Sequence, residues 1–490
     1  MSTYNILEDD IYGLIKKIAI PASIGSLFTT LYNVVDTIFA GKVGTAGEGL
    51  AGVSITFPLF LLLLSISIGL GAGTTTLVGN AIGAKENKTA REITYNSFIL
   101  AAIMSILSVV ILYPMIPGIL RFLKVSEEVL PYSLSYIRVI YIGIFTFTIS
   151  GVANSVLSAQ GQTKPYRNIL IIGFFLNIIL DPLFLGKNPL YFIELALKNI
   201  FSTITFGNIF STITFGNMNT GMYFSESLDL FPNMGTAGIA LATILIQLFQ
   251  TIYIVIKLIE SPLFHCQREK GEFKFDYNII KELLKQGLPA MLNMITVTTG
   301  IFILNYFVSY IGGSNATAAL GIGYRVEQIV MLPASGIYIA MMAIIAQNRG
   351  AEKYDRVYET FKKGFILSVG LLTLGSIIVF IIKLSLISLF TNNKNIIKLT
   401  VEYLNIEVFT IPAYAVLSSS INTLQAIKLP KVPMYATLVR QFIMPLTLYT
   451  LVTFVFQLPI RFIWICVFIN AWSVSLFLVF YARRQVKKIN

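Results

Sequence analysis

Two pairs of polar residues stand against an apolar background: Asn33 and Asp36 in the run Tyr32-Asn33-Val-Val-Asp36-Thr37, and Asn177 and Asp181 in Asn177-Ile-Ile-Leu-Asp181-Pro182. On a helix, residues three or four apart lie on one face, so each pair points one way. Two carboxylates and two amide oxygens could then meet. Carboxyl groups crowded together in low dielectric disfavour full ionisation, so such a pair could exchange a proton near neutral pH. The same oxygens, with a hydroxyl or a backbone carbonyl, could hold Na⁺. Either chemistry makes an ion-coupling site. An isolated acid bonded to a neighbouring helix is the competing reading, and two acids with facing amides favour coupling.

The elements that must position these groups follow from composition. Of 490 residues, 55% are hydrophobic and only 12% charged. Soluble proteins carry about 25% charged residues. Mean hydropathy is +0.76. These values exclude a cytosolic enzyme and predict an all-α polytopic membrane protein. A spanning helix needs about 20 apolar residues. Twelve segments qualify, over 16–41, 47–79, 92–120, 131–160, 165–186, 232–259, 280–308, 315–347, 362–391, 398–426, 431–457 and 459–483. Asp36 lies in the first and Asp181 in the fifth. No sustained strand-type alternation supports a β-barrel.

The formal net charge of +12 sorts by side rather than pointing to nucleic acid. With the N-terminus inside, 24 of the 36 Lys and Arg residues fall at inner loops and 9 at outer ones. The positive-inside rule then predicts both termini in the cytoplasm of a multi-pass plasma-membrane protein. The first residues, Met1 to Leu14, do not read as a cleaved signal. The two cysteines, Cys266 and Cys466, indicate no disulfide framework.

A repeat divides the chain. Gly83 and Gly350, Ala159 and Ala426, and Lys164 and Lys431 are each 267 residues apart, while Pro21 and Pro289 differ by 268. Six helices per copy give both copies one orientation, so two parallel six-helix bundles related by a pseudo-two-fold axis are expected. The N-terminal lobe covers 1–259, a cytoplasmic linker 260–279 and the C-terminal lobe 280–490. The linker holds the only histidine, His265, read as solvated. The external loop 187–231 contains Ile200–Asn208 followed by an identical copy at 209–217. A tandem duplication is the favoured reading of it, ahead of a hairpin lid.

Other polar groups are less specific. Asn154, Gln160 and Thr243 could each add an oxygen or serve helix packing. Arg325 and Glu327 read as interfacial or mutually compensating, Arg138 as paired or snorkelling, and Glu407 as a candidate acid of the second lobe. Pro21 lies in the helix carrying Asp36 and is a candidate hinge. Gly69-Leu-Gly71-Ala-Gly73 lacks the lysine and preceding strand of a phosphate loop. No HExxH, CxxC or Ser-His-Asp pattern appears.

The chain resembles the multidrug and toxic compound extrusion (MATE) family. The resemblance rests on Ile20-Pro21-Ala22 followed by Asn33-to-Thr37, Ala159-Gln160-Gly161-Gln162-Thr163-Lys164, Asn177-to-Pro182, Gly238-to-Thr243, Arg325-Val-Glu327-Gln328 and Leu332-Pro333. It implies a non-enzymatic antiporter that exchanges H⁺ or Na⁺ for amphipathic, often cationic, organic compounds. Asp36 would be the main coupling carboxylate. Asn177, Asp181 and Thr243 would join it around the cation, including any Na⁺, with Asn33, Thr37 and Asn154 lining the pocket. No cofactor beyond the coupling ion is implied. Partners would be small drug-like substrates and the bilayer, with no nucleic acid and a functional monomer. Residues 286–308 contain no acid, where the NorM-like branch carries one. The resemblance is therefore closer to the DinF-like branch. A lipid-linked oligosaccharide flippase of the same superfamily is the alternative; it would need a cleft rich in Arg and Lys.

Overall fold

The computed structural model describes residues 4–45, 47–189, 232–265 and 274–489. The 200–217 repeat and Cys266 lie outside these. The described chain builds α1 (Ile11–Ala40), α2 (Glu48–Gly83), α3 (Asn87–Phe122), α4 (Leu130–Ile142), α5 (Ile144–Ala159) and α6 (Lys164–Phe184). There follow α7 (Gly235–Ile259), α8 (Tyr277–Gly350), α9 (Tyr354–Ser388), α10 (Lys394–Ala426), α11 (Lys431–Val455) and α12 (Arg461–Ile489).

Two of these elements depart from one helix per span. The fourth segment is broken, with α4 and α5 meeting at 47°. In contrast, α8 is 74 residues long. At 1.5 Å per residue a straight helix of that length would reach about 110 Å, against a hydrocarbon core of about 30 Å. It turns back at Gly313, where φ 62 and ψ −158 are accessible to glycine and to few other residues. With α4–α5 counted once and α8 twice, the twelve spans expected from hydropathy are present. Apolar side chains such as Val110, Ile381 and Phe480 project outward, the inversion of a soluble surface that lipid requires.

Each lobe has its own core. Leu63, Leu100, Ile137, Val152 and Ile239 pack together in the N-terminal lobe, and Phe307, Val326, Tyr403 and Trp464 in the C-terminal lobe. Helix α1 belongs to both. Its first turns (Ile11, Leu14, Ile15 and Ile18) pack with Met341, Ile344, Val357 and Leu424 of the second lobe. Its last residues, Phe39 and Ala40, join the first lobe's core. Pro21 lies between the two ends, where it removes a backbone donor. Nearby, the Ser23 hydroxyl donates to the Pro333 carbonyl at 2.7 Å.

The lobes meet at the face bearing the N-terminus, and the meeting is pseudo-two-fold. Asn80 Nδ2 donates to the Ala426 carbonyl at 3.3 Å. Gln347 Nε2 donates to the Ala159 carbonyl at 2.6 Å. Donors and acceptors in these two bonds are each 267 residues apart, the offset read from the sequence. The backbones touch as well. A β-carbon on Gly83 would collide with the Gln347 carbonyl, and one on Gly350 with the Asn80 carbonyl.

Candidate functional site

Helices α1, α6 and α7 adjoin one another in the N-terminal lobe. Phe28 of α1 and Phe174 of α6 meet edge to face at 5.5 Å, which sets the phase of one helix against the other. One helical turn further along α6 from Phe174, the Asn177 amide Nδ2 donates to Asp36 Oδ1 at 2.8 Å. From α7, Thr243 Oγ1 lies 3.3 Å from Asp36 Oδ2 and 3.1 Å from the Ile239 carbonyl, so its single proton serves one or the other. Asp181 is one turn beyond Asn177 on the same face, close enough for its carboxyl group to feel the charge of Asp36. Asp36 is 7% exposed and Asp181 fully buried.

The site holds polar atoms that lack partners. Both oxygens of Asp181, Oδ1 of Asn177 and the hydroxyl of Tyr32 are buried with no hydrogen-bond partner. Four orphaned oxygens beside a second carboxylate are costly in low dielectric. A proton on the acid pair or a small hard cation among the oxygens would remove that cost. The site opens on a cavity of about 230 Å³, lined by Tyr32, Asn33, Asp36, Thr243, Tyr136 and Gln250 among others. No Lys or Arg is among its lining residues. Phe28, Phe60 and Phe147 give it apolar aromatic walls.

The remaining candidates are distributed as follows. Asn33 lines the cavity. Thr37 is exposed and its hydroxyl donates to the Asn33 carbonyl at 2.7 Å. One residue after Asp36 means about 100° of rotation, which carries Thr37 away. Asn154 is half-buried on α5 and is not among the lining residues. Gln160 donates to Ser261 Oγ at 3.2 Å, at the end of α5 rather than at the site. Tyr136 and Gln250 were not singled out from the sequence. Gln250 had a signal, since Thr243, Gln247 and Gln250 recur at helical spacing and all line the cavity.

The second lobe holds a buried charge cluster of another kind. Glu407 comes from α10, Glu327 from α8, and Arg440 from a π-helical turn, Val439–Ile443, within α11. Glu407 Oε1, Glu327 Oε2 and Arg440 Nε are buried without partners. The guanidinium lies 5.5 Å from the Tyr414 ring centroid, and its charge acts on both acids. Glu327 is thus neither interfacial nor compensated by Arg325. Residues two apart on a helix point to different faces, and Arg325 instead stacks over Phe390 at 5.8 Å. Arg138 is exposed on α4. His265 ends the short helix Pro262–His265, with Nδ1 3.2 Å from the Ser261 carbonyl.

Comparison with known proteins agrees with this architecture. The MatE family profile matches residues 21–183 and 289–467. A probable multidrug resistance protein NorM of Thermotoga maritima is 26% identical over 389 residues, covering 78% of this chain and 73% of that protein. An FAD transporter of Shewanella oneidensis is 25% identical over 377 residues, covering 75% and 70%. Among solved structures, an outward-facing multidrug resistance MATE family transporter of the MOP superfamily superposes with a TM-score of 0.84. It is 21% identical, with 99% of this chain and 98% of that one covered.

Proposed function

The chain belongs to the MatE family of membrane transporters, and from that premise we propose that it is a cation-coupled antiporter. It exports amphipathic, often cationic, organic compounds by alternating access, in exchange for H⁺ or Na⁺. Coupling resides in the N-terminal lobe, as in the DinF-like branch. The observation that carries this reading is the set of orphaned oxygens around Asp36 and Asp181, fixed to a helix whose opposite end packs on the other lobe.

The mechanism follows from that placement. An amphipathic cation enters the cleft and rests against aromatic walls, with the acid pair supplying negative charge. A proton or Na⁺ arriving at Asp36 and Asp181 neutralises that charge and completes the oxygen set from Asn177 and Thr243. Retained substrate then loses its electrostatic partner. Because α1 carries Asp36 and is anchored on the second lobe below Pro21, ion occupancy is transmitted to the contact between lobes. Helix rearrangement at Pro21 and lobe rocking are two parts of one step. In this reading the face bearing the N-terminus, where the lobes meet, is the cytoplasmic one, and its closure corresponds to an outward-facing state.

Two further observations support the assignment. The Arg440 guanidinium provides the second-lobe acids with a built-in cation, whereas the Asp36 site has none among its lining residues. This contrast supports a mobile ion in the first lobe. A flippase for anionic pyrophosphate lipids would need a basic cleft, and neither Arg138 nor Arg325 lines the cavity beside Asp36. The reading is tested by measuring drug export from proteoliposomes under separately imposed Na⁺ and pH gradients, with wild type and Asp36→Asn. Export driven by one gradient in wild type and by neither in the variant is expected.

A further inference from the structure

We propose that residues Tyr4–Asp10 form a strap across the closed face, which must release before the cleft opens to the cytoplasm. The inference rests on the alternating-access reading above. It starts from the contacts that this segment makes with both lobes. The bonds Asn80–Ala426 and Gln347–Ala159 are repeat-related and close the face from both sides. The segment equivalent to the strap by the same offset, 271–277, lies partly outside the described residues.

On the second lobe the strap is held by a converging set of donors. The Arg356 guanidinium donates from Nη2 to the Ile6 carbonyl at 3.0 Å and to the Asp9 carbonyl at 2.7 Å. Its Nε donates to Asn348 Oδ1 at 3.0 Å, and Asn348 Nδ2 donates in turn to the Ile6 carbonyl at 3.4 Å. Lys353 Nζ reaches the Leu7 carbonyl at 3.1 Å, and Lys363 pairs with Asp10 at 3.3 Å. The Ile6 side chain is 5% exposed and belongs to the same core as Met341 and Val357.

On the first lobe the strap is received at Gly161. The Tyr4 hydroxyl donates to the Gly161 carbonyl. Gly161 has φ +78, and a β-carbon there would lie 2.8 Å from Ile6 Cδ1 and 3.2 Å from Tyr4 Cε2. Backbone conformation and the strap thus both require glycine. The repeat-related residue is Lys428, which has the same left-handed turn (φ 61) but bears a long side chain. It lines a cavity of about 340 Å³ between the lobes, together with Asn80, Arg349 and Glu352. The seat at Gly161 is therefore shaped to receive the strap.

Because Ile11 begins α1 directly after Asp10, release of the strap frees the helix that carries Asp36. The strap therefore sets how often the closed face opens, without touching ion or substrate.

The test uses the full chain with Cys266→Ser and Cys466→Ser, labelled at Asn168→Cys on α6 and Lys362→Cys on α9, both exposed. Pulsed spin-label distances report whether the face is closed. Tyr4→Phe and Arg356→Gln should each increase the long-distance population, Arg356→Gln by about tenfold, as expected for bonds to a charged donor. Since both act through one segment, the double variant should open no further than Arg356→Gln alone. The control is Asn80→Ala with Gln347→Ala, which removes the symmetric bonds. If the control opens the face and the strap variants do not, or if their effects add fully, the strap is refuted. If the control and strap variants all keep a single short distance under every ion and drug condition, alternating access itself fails.

Discussion

Asn177 and Asp36 are 141 residues apart in the chain and joined by a buried 2.8 Å hydrogen bond. The amide donates, and its own oxygen is left buried without a partner. That unmet oxygen is one of those that the proposed coupling ion would engage.

Removing the charge at Asp36 should leave a folded, inserted protein that no longer couples. Asp36→Asn keeps the shape and can still accept from Asn177. Gradient-driven drug export in proteoliposomes should fall to the protein-free background, while elution as a monodisperse species in detergent is retained.

Asn177 should matter through its oxygen as well as its hydrogen bond. Asn177→Leu replaces both with apolar surface and strips the Asp36 carboxylate of its strongest neutral donor. A loss of one charge-assisted bond is on the order of 2 kcal/mol. The midpoint for activation of export by the coupling ion should rise at least tenfold, with the maximal rate less affected.

The second-lobe cluster should respond to charge balance. Arg440→Met leaves two buried carboxyl groups without their cation. Breaking a buried charge pairing on one side costs on the order of 3 kcal/mol. The variant's Tm should drop by several degrees, and adding Glu327→Gln should recover part of the loss. A Tm unchanged by Arg440→Met would mean that the guanidinium does not compensate the acids.

Stability at alkaline pH should carry the signature of Lys428, in the loop between α10 and α11. Burial, followed by the Arg349 charge, holds its ammonium below the ordinary lysine value of 10.5. Between the folded and unfolded pKa the unfolded chain binds more protons, so stability rises with pH there. Lys428→Asn, which tolerates the left-handed turn, should flatten the rise of Tm across the interval just below pH 10.5.

The closing contact at Gly83 and Gly350 leaves no room for a side chain. Gly83→Val should force the face apart at a cost of about 1–3 kcal/mol. Spin labels at Asn168→Cys and Lys362→Cys should then report a larger separation than in the parent protein.

Much of this was legible in the sequence, for physical reasons that also mark the limits. Twelve apolar runs are visible because lipid forces every span to be long and uncharged. Their ends are less so, since helices continue beyond the bilayer; α9 begins at Tyr354, eight residues before its apolar run. The bend at Gly143 carries no polar signal. The pairing of Asp36 with Asn177 and Asp181 was readable from helical spacing plus the cost of burying acids, while Thr243 entered through the family resemblance. Thr37 adjoins Asp36 in sequence, but helical phase turns it away, and Asn154, which entered through the family resemblance, is not among the residues lining the cavity. Glu327 and Arg440 were missed as partners because 113 residues and a π-helical turn separate them. The strap was invisible, since nothing in Tyr4–Asp10 names its acceptor at Gly161.

The most direct test is export of a cationic drug from proteoliposomes with Na⁺ and pH gradients applied one at a time. Wild-type protein should be driven by one of them, and Asp36→Asn by neither. Export by Asp36→Asn at the wild-type rate under the same gradient would contradict the assignment of Asp36 as the coupling group.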